Sequence, residues 1–268
     1  PAGCSVAAWQ CGRGTPYLSP SAPLTNADAL QYWTLGFEVA LPPSTGCVDF
    51  ADYADLALDF ASQLAQFAAE YPSVPAPTTS RTHCIAWSDY DTEPKVELAH
   101  GIRCDTNYYY WPGSWLNDRP GLMTGSGLPM RFADRTGQTV DVYQALTQFT
   151  DESGQTYPKH VDTLLDNALS TKGYWGVFTA NMHTDAATSV GADAIVASAQ
   201  SRGVPVVSAR QMLTWLDGRN GSSFGAMTWS GGLLGVTVTA ASGARNLRAM
   251  LPTQARGPTP AAIPRPGA

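Results

Sequence analysis

Arg81-Thr82-His83-Cys84-Ile85-Ala86-Trp87, followed by the run from Glu93 to His100 and then Ile102-Arg103-Cys104-Asp105, decides how the whole chain is read. Thr82–Trp87 and Ile102–Asp105 are short apolar runs of strand type, and Glu93–His100 between them reads as a helix. Antiparallel strands can be joined by a two-residue turn, but parallel ones need a crossover of a dozen residues or more. A strand, a helix and a second strand in immediate succession therefore predict parallel pairing with a right-handed crossover.

The rhythm extends outward in both directions. Residues 1–24 are rich in Gly, Ser and Pro and read as loop. A helix capped at Thr25 or Asn26 runs toward Gly36, and Phe37–Leu41 reads as a strand ended by Pro42-Pro43. From Asp52 to Glu70, Leu56, Leu58, Phe60, Leu64 and Phe67 recur at helical spacing until Pro72. Beyond the central stretch come a strand at Met130–Ala133, a helix from Val140 to Phe149, and a helix from His160 to Leu169 that Gly173 closes. Tyr174–Ala180 reads as a strand and Ala192–Arg202 as a helix. Val204–Val207 is the last strand of the series, and Ser208 with Gln211 makes a capping box for a final helix through Leu216.

After Asn220-Gly221 the pattern changes. Phe224–Trp229 and Leu234–Thr239 alternate and are joined by Ser230-Gly231-Gly232, the signature of a hairpin. Leu247–Leu251 reads as a further short strand. The expected organisation is a β/α domain over 1–220, a small antiparallel β appendage over 221–253, and a linker over 254–268 carrying Pro258, Pro260, Pro264 and Pro266. No internal repeat is apparent. Because the chain opens at Pro1 with no initiator Met, it reads as a mature fragment with further domains beyond both termini.

Composition narrows the function. The net charge is −6 and no basic run is present, which argues against a nucleic-acid partner. No stretch approaches the roughly 18–20 apolar residues of a membrane span. Charged residues make up only 14%, and three of the 16 basic residues are lysines. Gly, Ser, Thr, Tyr and Trp fill the polar positions instead, a balance suited to a secreted protein that handles carbohydrate. Among the five cysteines, two of Cys4, Cys11 and Cys47 are expected to pair, in keeping with an oxidising compartment. Cys84 and Cys104 read as buried thiols, and the spacings match no zinc knuckle.

In a parallel β/α fold, functional side chains gather at the C-terminal ends of the strands. Those ends supply Arg81 and His83, then Asp89 and Asp91; Arg103 and Asp105, followed by the aromatic run Tyr108, Tyr109, Tyr110 and Trp111; Asp134; and Asn181, His183 and Asp185. His83 reads as a core histidine or a metal ligand. His183 reads as an acid catalyst or ligand, with Asp185 placed to orient its ring. Asp105 reads as a catalytic carboxylate or the partner of Arg81 or Arg103. Tyr109 and Trp111, with Trp115, read as a stacking platform for sugar or a cover over the strand ends. His100 and His160 are placed peripherally, and Asp151 and Glu152 in a solvated loop. Neither a Gly-x-Ser-x-Gly elbow nor a phosphate-binding loop is present.

Ser80-Arg81-Thr82-His83, Gly101-Ile102-Arg103-Cys104-Asp105, Leu128-Pro129-Met130-Arg131-Phe132-Ala133-Asp134 and Asn181-Met182-His183-Thr184-Asp185 together resemble a divergent branch of the polysaccharide deacetylase superfamily, over residues 25–217. The resemblance implies an incomplete (β/α)7 barrel that holds a divalent metal, zinc or similar, through one Asp and two His. A first-strand Asp is the general base and a late-strand His the general acid. His183 matches that acid, Arg81 the arginine that orients the base, and Asp105 the carboxylate near the acid. His83 has no counterpart in the pattern, and its metal role is read from its position. Tyr109, Trp111 and Asp134 are the expected substrate contacts. The first-strand Asp-Asp motif is missing, and Pro42-Pro43 stands where a metal-binding His is looked for. The implied activity is removal of acetyl groups from a polysaccharide or amino sugar, with part of the metal site absent. Two alternatives are a catalytically inactive carbohydrate-binding domain and a glycoside hydrolase using Asp105 and Asp134.

Overall fold

The computed structural model describes residues 3–84, 86–107, 126–152, 154–171, 173, 175–184 and 188–248. The chain divides into two compact units, Pro1–Leu213 and Thr214–Ala268.

The helices of the first unit start where local chemistry says they should. Helix α1 (Asn26–Thr34) is opened by a full capping box: Thr25 Oγ1 accepts from the Asp28 N–H and Asp28 Oδ2 accepts from the Thr25 N–H. Helix α2 (Tyr53–Glu70) begins at Asp52, whose Oδ1 accepts from the Ala54 and Asp55 N–H groups. Its buried residues Leu56, Phe60 and Phe67 share one face. Phe67 packs with Val39, Leu41 and Tyr71, while Leu56 and Phe60 pack with Val96 and Ile102. Helix α3 (Thr92–Ala99) lies between strands β1 (Thr79–Ser80) and β2 (Cys104–Asp105), which pair in parallel. The strand–helix–strand order is as expected, but Thr82–Trp87 is not the strand: β1 ends at Ser80, before that run begins. Cys84 takes a left-handed φ of 55°, outside the extended region of a regular strand, and beyond Ser80 only an isolated bridge from Ser44 to His83 remains.

Two expectations are corrected further along. The segment Val140–Phe149 is not helical. It forms strands β4 (Thr139–Gln144) and β5 (Thr147–Thr150). Val140 and Val142 alternate into the interior, and the N–H groups of Tyr143 and Ala145 reach the carbonyls of Arg103 and Asp105 at 2.8 and 2.7 Å. Pairing with β2 overrides the helical spacing. Strand β3 (Met130–Ala133) is also not part of the parallel series: it pairs antiparallel with β4 through a turn at Asp134–Gln138. The resulting four-stranded sheet has the order β1-β2-β4-β3. Strand β5 pairs in parallel with β6 (Thr179–Asn181), with α4 (Lys159–Leu169) between them in sequence. Phe149 packs against Val161, Leu164, Leu165 of α4 and Ala199 of α5 (Val190–Ser201).

Phe37–Leu41 and Val204–Val207 form no ladder, yet their backbones are engaged. Ala40 accepts from the Leu18 N–H at 2.8 Å and donates to Pro16 at 3.1 Å, and Val206 accepts from the Arg13 N–H at 3.0 Å. The His83 N–H donates to the Pro43 carbonyl at 2.6 Å. Among the described residues the fold is mixed α/β with several sheets and no closed barrel.

Glu38 ties the early and late parts of this unit together. Its Oε2 accepts from Thr15 Oγ1 at 3.0 Å and from the Arg210 N–H at 2.9 Å, at the first turn of α6 (Ala209–Gly221). Carboxylates are favoured at that end of a helix dipole. The side chain is buried, and burial raises its pKa against the pull of these donors. Glu38→Ala is expected to destabilise the chain by about 2–4 kcal/mol, because buried donors lose their acceptor. Glu38→Gln should cost less, and chemical denaturation followed by circular dichroism distinguishes the two.

The second unit contains the expected hairpin, β7 (Ser223–Ser230) and β8 (Leu233–Thr239), paired antiparallel. A register shift between Gly225 and Thr228, with Ala226 at φ 46°, lets Phe224 and Trp229 oppose Val238 and Leu234 on one face. The loop at 241–245 is held by Trp215 Nε1–H to the Arg245 carbonyl at 3.0 Å. Leu247–Leu251 falls partly, and the linker over 254–268 wholly, outside the described residues.

Cys4 pairs with Cys11, one of the expected bridges. Cys47 pairs with Cys84, which corrects the reading of Cys84 as a thiol: 37 residues separate the two in sequence, and only the fold brings them together. Cys104 is buried and belongs to neither disulfide. Two disulfides suit an oxidising compartment. Among the described residues no helix is long and apolar enough to cross a membrane.

Candidate functional site

The site is built where β5 and β6 end side by side. Thr150 lies opposite Asn181 in the parallel ladder, so the residues just beyond each strand emerge together. From β5 come Asp151 and Glu152, and from β6 comes His183. Asp151 Oδ1 lies 2.9 Å from His183 Nδ1, and its Oδ2 accepts from the His183 N–H, also at 2.9 Å. On the other edge of the ring, Glu152 Oε1 lies 3.7 Å from Nε2. The His183 side chain keeps 36% of its surface exposed, enough for a substrate to reach it.

Burial on its own raises the Asp151 carboxyl, but the His183 ring, its backbone N–H and its charge outweigh that and hold it below the ordinary carboxylate range. Asp151 is therefore an acceptor, and Nδ1 must carry the proton that it receives. In the neutral ring this leaves Nε2 with a free lone pair, directed away from Asp151. The carboxylate thus sets both the orientation and the tautomer of the imidazole.

The loop that carries the two carboxylates is fixed from behind. Gln155 Oε1 accepts from the Thr150 N–H at 3.1 Å and from Tyr157 Oη–H at 2.9 Å, and the Thr150 carbonyl, 3.3 Å from Tyr157 Oη, is the alternative acceptor for that one hydrogen. Burial, followed by the charge of Asp151, pushes the Tyr157 phenol well up, so it stays a donor. Gly127, at φ 63°, packs nearer the opposite ends of these strands, against Gln148 at the start of β5 and Val177 ahead of β6. A Cβ there would stand 2.1 Å from the Val177 carbonyl oxygen and 2.2 Å from Gln148 Oε1.

The other expected residues are dispersed. Arg81 is buried just past β1. Asp105 has no exposed surface and stands under α3 beside Glu93 and Glu97. Burial pushes it up to about 7 against hydrogen bonds from Asn107 and Gln144. The carboxylate beside His183 is accordingly Asp151, and Asp105 and Asp134 do not form a pair open to a sugar. Asp134 builds the β3–β4 turn, its Oδ1 accepting from the Thr136 and Gln138 N–H groups at 2.8 and 2.9 Å. Tyr109, Trp111, Trp115 and Asp185 lie outside the described residues.

His83 is exposed, and its ring lies with the sulfurs of Cys47 and Cys84, all within 4.8 Å of one another. Those sulfurs are joined in a disulfide, whereas the thiolate is the metal-ligating form of cysteine. This donor set does not fit the divalent metal that the deacetylase resemblance implies, which calls for one Asp and two His.

Asp151 and Glu152 were hidden in the sequence by the helical spacing of Val140–Phe149. Reading those residues as a strand would have put both carboxylates at a strand end, where function is sought. No protein-family model matches the chain, and neither the curated proteins nor the solved structures compared with it match it.

Proposed function

We propose that this chain is a secreted, carbohydrate-directed acyl hydrolase domain of deacetylase type, with His183 as its proton-transfer group. The observation that carries the reading is the His183–Asp151 pair at the ends of two adjacent parallel strands, half-exposed and oriented from both carboxylate oxygens. His–carboxylate pairs of this geometry serve acid–base chemistry at a carbonyl. Nε2 takes a proton from water as the water oxygen bonds to the acyl carbon. It then returns that proton to the leaving oxygen or nitrogen as the acyl bond breaks. Asp151 holds Nδ1–H throughout, and Glu152 faces the ring in its protonated state.

The same proposal includes an incomplete β/α barrel. Its support is the succession of backbone bonds linking 204–206 to 13–18, 13–18 to 38–44, and 38–44 to 79–83, continued by β1-β2-β4 and β5-β6.

A second reading, a carbohydrate-binding domain without activity, is favoured by one observation: the donor set at His83 does not fit the implied metal. Acetate release from acetylated chitooligosaccharides and acetylated xylan separates the two. The hydrolase reading expects release that His183→Ala abolishes with binding retained. Binding of the same glycans with no release by the unaltered chain establishes the second reading instead.

A further inference from the structure

The group at His83 is closed to a metal only while its two sulfurs are bonded to each other. We propose that Cys47, His83 and Cys84 form a reduction-gated site for a thiolate-seeking d10 cation such as Zn2+. With the disulfide intact the site takes no metal. Once a thiol reductant opens it, two thiolates and one imidazole become the ligands.

Three observations support this. First, the sulfurs and a ring nitrogen of His83 already lie within 4.8 Å of one another, so movements on the order of 1–2 Å bring them to the ~3.5–3.8 Å separations of donors around a tetrahedral zinc with Zn–S ~2.3 Å and Zn–N ~2.0 Å. Second, the disulfide is not what keeps the two segments together. The His83 N–H donates to the Pro43 carbonyl at 2.6 Å and Ser44 bridges His83 in parallel. Ser44 is itself clamped to α2, its N–H donating to Gln63 Oε1 at 2.8 Å and its carbonyl accepting from Gln63 Nε2 at 2.7 Å. The Cys47 and Cys84 backbones, 5.2 Å apart at Cα, remain neighbours after the sulfurs separate. Third, both cysteines hold left-handed backbone conformations, φ 62° and 55°, which non-glycine residues adopt only where their surroundings require it. His83 is exposed, so a cation can enter from solvent and water can fill the fourth position.

The chemistry balances. Two thiols, or one dithiol, reduce the Cys47–Cys84 bond by exchange and leave as their own disulfide, giving two cysteine thiols. The cation then displaces two protons as the thiolates bind it. Sequence spacing alone did not suggest a metal–thiolate site, because Cys47 belongs to a distant segment.

The test uses the full chain with Cys4→Ser and Cys11→Ser, so that the only other thiol is the buried Cys104. The protein is reduced with a phosphine without oxygen and titrated with Co2+, then with Zn2+ as competitor. One equivalent of Co2+ should bind with the thiolate charge-transfer and tetrahedral d–d absorption, and Zn2+ should displace it. The oxidised protein should bind none, and His83→Gln should weaken binding at least about 10-fold while circular dichroism stays unchanged. Absence of tetrahedral cobalt in the folded, reduced protein overturns the proposal. So does equal binding by the oxidised protein, or undiminished affinity in His83→Gln.

Discussion

Asp151→Asn is expected to lower the turnover of acyl-sugar hydrolysis by about 10²–10⁴-fold with little change in KM. The reason is donor arithmetic. Asp151 accepts from both the His183 N–H and Nδ1–H, one on each oxygen. An asparagine has one oxygen and one NH2 group, so it can accept from only one of them. If its oxygen stays with the backbone, its NH2 faces Nδ1 and drives the ring proton to Nε2, where the lone pair is needed. The fold should be untouched, since both residues are partly exposed. Measured kcat and KM on an acetylated oligosaccharide decide the matter. Activity within about 3-fold of the unaltered chain would mean that Asp151 does not set the tautomer, and the assignment of His183 would go with it.

The second large effect concerns stability against pH. Glu93 and Glu97 of α3 and Asp105 at the end of β2 are buried together, with hydrogen bonds from the neutral side chains of Ser80, Thr82, Asn107 and Gln144. Thr82 Oγ1 donates to Glu93 Oε1, and the Asn107 N–H donates to Asp105 Oδ1 at 2.6 Å. Burial outweighs these bonds and, with the charge of Asp105, pushes Glu93 up to about 8. Burial likewise raises Asp105 to about 7, and Glu97 rises well above its ordinary value through burial and the charges of Asp105 and Glu93.

The folded chain therefore keeps protons that the unfolded chain releases near pH ~4. Where the folded state binds more protons, stability falls as pH rises. The contribution of these groups is intact below the unfolded values, declines from about pH 4 upward, and is lost through the folded values near 7 and 8. Glu97→Gln is isosteric and cannot ionise. It should leave stability nearly unchanged at pH 4 and below and raise it at pH 8–9 by about 1–3 kcal/mol, read as a rise in Tm of about 2–4 °C per kcal/mol. Thermal melts of both proteins across that range test it, and an equal offset at every pH would contradict it. The acid limb also contains Asp89, which Thr92 and Asp91 hold low, so the difference between the two proteins is the informative quantity.

Much of the fold was legible because its signals are local. Thr25 with Asp28, Asp52, and Ser208 with Gln211 satisfy the first N–H groups of α1, α2 and α6 from within a few residues. The hairpin β7–β8 declared itself through Ser230-Gly231-Gly232, and both glycines take positive φ. Val140–Phe149 was misread because a short apolar run carries helical and strand spacing at once. What decided it was the row of carbonyls on β2 and beyond, which only the folded chain presents to it.

The candidate site divides along the same line. The sequence by itself singled out His183, since a histidine just past an apolar run is a local pattern. It also determined the helix starts, governed by bonds spanning four residues or fewer, and the strand–helix–strand order around α3, whose strand bounds were fixed by the pairing of Thr79 with Cys104. Only the tertiary structure decided which carboxylate serves His183, which cysteine meets Cys47, and that Asp105 is sealed under α3. Those outcomes depend on contacts 32 and 37 residues apart in the first two cases. Over such separations the partner is chosen by strand register and packing, and no spacing in the sequence encodes it.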